Sequence, residues 1–104
     1  MIRVLIVARK GLDLYALLIR KQAQLHRGGR GTLHRSGVKE RGRAKWRHVK
    51  YDGWIWLEKC RAGVVLAEIF SRAAGGESQL MNSLVGFLDR HFRDELATVS
   101  IHYD

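Results

Sequence analysis

Residues 45–59 read KWRHVKYDGWIWLEK, two runs rich in aromatic and β-branched residues set around Asp52-Gly53. An Asp-Gly pair between strand-like runs is the turn chemistry of a two-residue hairpin. The register it predicts places Tyr51 opposite Trp54, Lys50 opposite Ile55, Val49 opposite Trp56, His48 opposite Leu57 and Arg47 opposite Glu58. Downstream, Arg61-Ala62-Gly63 reads as a three-residue turn with Gly63 in the left-handed region. It sets Cys60 opposite Val64 and Trp56 opposite Glu68. The expectation is a three-stranded meander over about 45–51, 54–60 and 64–72.

Because side chains alternate along a strand, this register sorts the meander into two faces. Ile55, Leu57, Val65, Ala67 and Ile69 make one, aliphatic, face. Tyr51, Trp54, Trp56 and Phe70 fall on the other, with Glu58 and Glu68.

Outward from this centre the pattern is simpler. MIRVLIVAR is rich in β-branched residues and predicts a buried strand at 2–8. Leu14, Leu17, Leu18 and Leu25 recur at helical spacing and predict a helix over about 12–26, stopped by Gly28, Gly29 and Gly31. Leu80, Leu84 and Leu88, with Met81, Val85 and Phe92, predict a second helix over about 78–94. LATVSIHY closes the chain as a strand at about 96–103. Residues 27–44 have little apolar content and read as a long basic, Gly-rich loop or arm. The fold class expected is α+β: one domain over 1–104, an antiparallel meander with two helices on its aliphatic face, βαββαβ-like if the hairpin is an added ribbon.

The charge is uneven. Of the formal +9, residues 26–50 alone carry nine basic side chains against Glu40, while residues 51–104 are net acidic at −3. Such asymmetry points to a polyanionic partner, nucleic acid above all. The candidate contacts are Arg27, Arg30, Arg35, Lys39, Arg41, Arg43, Lys45, Arg47 and Lys50, with Trp46 and Tyr51 placed to stack on bases. Nothing in the segment reads a specific base, and a solvated loop explains the same composition.

With both helices on the aliphatic face, the aromatic face is left open. Monomers rarely expose a large apolar patch. Three covers are open: a second copy of the chain, giving a homodimer through Tyr51, Trp54, Trp56 and Phe70; the basic arm or N-terminal segment folded back; or nucleic acid bases. Glu58 and Glu68 count against the last.

Catalytic and metal signals are thin. The five histidines show no zinc-ligand spacing, Cys60 has no CxxC partner, and no phosphate-loop, dinucleotide or nucleophile-elbow motif occurs. No enzyme activity, metal or cofactor is expected. One enzymatic alternative is a small metal-independent ribonuclease using His34, Arg47 and His48. Arg47 is also accounted for as the cross-strand partner of Glu58, and Cys60 as a small core or interface residue. A single cysteine and the absence of a leader-like or bilayer-length apolar run fit a cytoplasmic, non-membrane protein.

KWRHVKYDGWIWLEKCRAGVVLAEIFSRA, followed by LVGFLDRHFRDELATVSIHY, resembles small bacterial proteins of unknown function carried on integron-type mobile gene cassettes. The resemblance covers about residues 43–103. It implies a bacterial, cytosolic, stand-alone domain that self-associates, and carries no activity over to any residue.

Overall fold

A computed structural model describes residues 1–104. The fold is α+β, with the element order β1 (Ile2–Ala8), α1 (Leu14–Arg27), β2 (Leu33–Glu40), β3 (Arg43–His48), β4 (Trp54–Arg61), β5 (Val64–Phe70), α2 (Gly76–Phe92) and β6 (Leu96–Tyr103). The strands make one six-stranded sheet in the order β2-β3-β4-β5-β1-β6, antiparallel at every pairing. β2 to β5 form a meander. β5 and β6 then flank β1 on either side, joined by α2. Four strands thus lie between the helices, where three were expected.

Both helices lie on one face. Their buried residues, Leu14, Leu18 and Leu25 of α1 and Leu80, Leu84, Phe87, Leu88 and Phe92 of α2, share one core with every second residue of the central strands. Ile55, Leu57, Val65, Ala67 and Ile69 are fully buried there, as their alternation predicts. Asp13 caps α1, its carboxylate accepting from the Ala16 amide.

Three local expectations are overturned. Residues 27–44 are not a structureless arm: β2 occupies residues 33–40 of them, pairing with β3 from Leu33–His48 to Ser36–Lys45 and again at Glu40–Arg43. Arg41-Gly42 is the two-residue turn, and Gly42 supplies the positive φ of +72°. Asp52-Gly53 is not a two-residue turn. The β3–β4 register is Arg43–Glu58, Ala44–Leu57, Lys45–Trp56 and Trp46–Ile55, and residues 49–53 loop out. The expected register would have set Lys50 and His48 against Ile55 and Leu57 beneath the helices. The adopted one puts Trp46 and Ala44 there, both buried, and burying a bare ammonium is far costlier than burying an indole. The slip is four residues, an even number, so no side chain changes face. Third, Gly63 is not left-handed. The β4–β5 register holds from Trp54–Phe70 to Lys59–Val65, then shifts at Cys60 so that Arg61 meets Val64 across Ala62-Gly63.

Candidate binding face

The sheet surface away from the helices is built from alternate residues of every strand. β4 supplies Trp54, Trp56 and Glu58; β5 supplies Leu66, Glu68 and Phe70; β1 supplies Arg3, Leu5 and Val7. The Trp54 and Phe70 rings stack with centroids 5.7 Å apart. All three rings, Trp54, Trp56 and Phe70, are partly exposed.

β3 lies beside these rings, and its alternate residues are all cations. The Arg43 guanidinium sits 3.8 Å from the Trp56 centroid. Lys45 Nζ lies 4.8 Å from the Trp54 centroid and 5.7 Å from that of Trp56, and the Arg47 guanidinium lies 5.5 Å from Trp54. Such cation–π contacts are worth about 0.5–1 kcal/mol each at exposed sites. The basic segment and the aromatic patch, separate in the sequence, are one surface. Part of the basic segment itself covers the rings.

The two carboxylates on this face differ. Glu68 accepts from Arg3 Nε at 3.1 Å, and Arg3 also bridges to Asp104 at 2.6 Å. Its charge is locally matched. Glu58 is exposed and stands opposite Arg43, not Arg47. Arg43 also approaches Glu40 at 3.9 Å. Lys45 and Arg47 make no ion pair, so unmatched positive charge is concentrated along β3.

The remaining sequence candidates scatter. Lys39 and Arg41 sit at the exposed tip of the β2–β3 hairpin, Arg27 and Arg30 at and beyond the end of α1, and Lys50 in the β3–β4 loop. Arg35 pairs opposite Trp46, on the helix side of β2. Two aromatic assignments are corrected. Trp46 is fully buried under α2, edge-on to Phe87 at 5.4 Å, and offers no ring to a base. Tyr51 leaves the aromatic row: it lies in the loop, tilted on His48 at 4.5 Å and packed against the core. The five-residue loop put it there.

His34 and Arg47 pair across β2 and β3 on the open face, but His48 points to the other side. Its Nδ1 accepts from the Lys50 and Tyr51 amides at 2.9 and 3.3 Å. The three proposed ribonuclease residues thus do not converge on one surface. Cys60 is exposed at the β4 bulge. No group of three or more His, Cys, Asp or Glu side chains is arranged to hold a metal ion. No helix is long and apolar enough to cross a membrane.

No family model, curated protein or solved structure matches the chain.

Proposed function

We propose that this protein is a non-enzymatic binding module whose open sheet face takes single-stranded nucleic acid without reading its sequence. The observation that carries this is the row of Arg43, Lys45 and Arg47 laid along Trp54 and Trp56. Bases stack on aromatic rings and on the guanidinium planes laid over them whatever their identity, and the neighbouring cations neutralise the phosphates that follow. Glu68, held by Arg3, opposes this less than an unpaired carboxylate would. The same charge disfavours the alternative of two copies meeting through this face, because like-charged β3 rows would share the contact.

Fluorescence anisotropy with a labelled single-stranded oligonucleotide tests it. For about three neutralised phosphates, log affinity should fall against log salt with a slope of about −2. Replacing Arg43, Lys45 and Arg47 with alanine should weaken binding more than tenfold, as should Trp54→Ala with Trp56→Ala. Affinity unchanged in the triple variant would remove the proposal.

A second reading, self-association, is favoured at a different place. β6 is an edge strand of eight residues, LATVSIHY, with no Asp, Glu, Lys, Arg or Pro, and Ile101 and Tyr103 are exposed on it. The opposite edge, β2, carries Arg35 and Lys39 and is broken by an irregularity around Gly37, the usual protections against pairing with another chain. A dimer through β6 would leave the binding face free. Sedimentation equilibrium should show it, and Thr98→Lys with Ile101→Lys should abolish it. A monomer at the highest workable concentration removes this reading.

A further inference from the structure

A cavity of about 370 Å³ opens on the helix side of the sheet, between the end of α1, the middle of α2 and the β3–β4 loop. None of the ring-and-cation residues of the open face lines it. Its lining holds four nitrogen bases or cations, His48 and Lys50 from one side and Arg90 and His91 from α2, and no carboxylate. Leu25, Tyr51 and Phe87 supply flat or apolar wall. We infer that this cavity binds a small phosphomonoester with a planar body, of the class of a nucleoside monophosphate.

The chemistry supports each half of that ligand. Two cations, Lys50 and Arg90, with no carboxylate in the lining give a phosphate its charge partners. His48 is already oriented: with Nδ1 accepting two backbone amides, its proton resides on Nε2, the nitrogen left to donate. His91 is held edge-on to Phe87 at 5.2 Å. The Tyr51 ring, braced on His48, forms flat wall against which a planar group can pack. The volume falls within the roughly 300–1,000 Å³ range of small-molecule sites. Gln22, buried among the lining residues, donates Nε2 to the Leu33 carbonyl and ties α1 to β2 at the cavity wall. The inference does not rest on the nucleic-acid reading, because the two surfaces share no residue.

The test is calorimetric titration of the Arg43, Lys45 and Arg47→Ala variant, in which the open face is silenced, with adenosine 5′-monophosphate, adenosine and inorganic phosphate. The monophosphate should bind saturably, at least tenfold more tightly than either fragment. Adding Lys50→Gln and Arg90→Gln should weaken it at least tenfold; both positions are exposed and their loss spares the core. In the unaltered chain, the imidazole NMR signals of His48 and His91 should shift on addition of the monophosphate. No saturable binding, phosphate equal to the monophosphate, or affinity indifferent to Lys50 and Arg90 each overturns the inference.

Discussion

Gly53 is buried at a φ of +114°, under the end of β5. A Cβ there would clash with the Phe70 carbonyl, with Ser71 and with Leu80. Backbone conformation and space both demand glycine, and the Ser71 hydroxyl donating to Asp52 O at 2.9 Å fastens the loop beside it. Gly75, before α2, has a φ of +73° but nothing within 4 Å of its would-be Cβ. The pair separates the two costs. Gly75→Ala should lose about 1 kcal/mol, the left-handed penalty alone. Gly53→Ala should lose about 3 kcal/mol or more, because overpacking adds to strain. Urea unfolding checks both, and equal losses would show that the clash at Gly53 relaxes. The glycine signal at Asp52-Gly53 was therefore real, but it marked a close approach of chains, not a tight hairpin.

β3 shows what strand periodicity conveys and what it omits. The face of β4 was legible because Ile55 and Leu57 alternate with Trp54, Trp56 and Glu58, that of β5 because the Trp56–Glu68 register sets Val65, Ala67 and Ile69 on the same side, and both helices were legible from leucine spacing. The β3 partners were not, because turn length sets register and Asp52-Gly53 closes a five-residue loop in place of a two-residue turn; yet Lys50 opposite Ile55 was a conflict visible in the sequence alone. β2 was invisible for a different reason. Only Leu33 among its eight residues is buried, so no hydrophobic alternation marks it, and backbone pairing with β3 holds it in the sheet. The meeting of cations with rings was hidden for the same reason, since it depends on β3 sliding four residues along β4. Adjacent residues of β3 test the assignment of faces. Ala44 is buried opposite Leu57, so Ala44→Lys should cost more than about 3 kcal/mol or prevent folding. Lys45→Ala, one residue on, should cost about 1 kcal/mol or less, the worth of its exposed cation–π contacts. Similar losses measured by denaturation would mean that β3 does not present opposite faces to core and solvent.

Across the molecule, positive charge gathers on β3, at the hairpin tip and around the cavity, and two histidines titrate inside that field. Burial lowers the pKa of His48, with Lys50 and His34 adding to the effect. Burial lowers that of His91 as well, helped by Lys21, Arg90 and Arg30. Both therefore take up a proton less readily folded than unfolded, where the ordinary value is 6.5. In the window just below that value the unfolded chain binds more protons, so stability rises with pH and is lost as pH falls through it. Asp13 and Asp89 act in the same direction at lower pH: Asp13 is held below the ordinary 3.8 by the Ala16 amide and then Lys59, Asp89 by Arg93. Their stabilisation goes only when the carboxylates protonate. Two losses on acidification follow, an imidazole step below about pH 6.5 and a carboxylate step in the acid range. Urea midpoints at pH 7.5 and 5.5 isolate the first, and the double variant His48→Gln, His91→Gln should flatten it whatever its baseline stability. A midpoint that rises on acidification, or an undiminished slope in the double variant, would show that these imidazoles are not what the folded state keeps neutral.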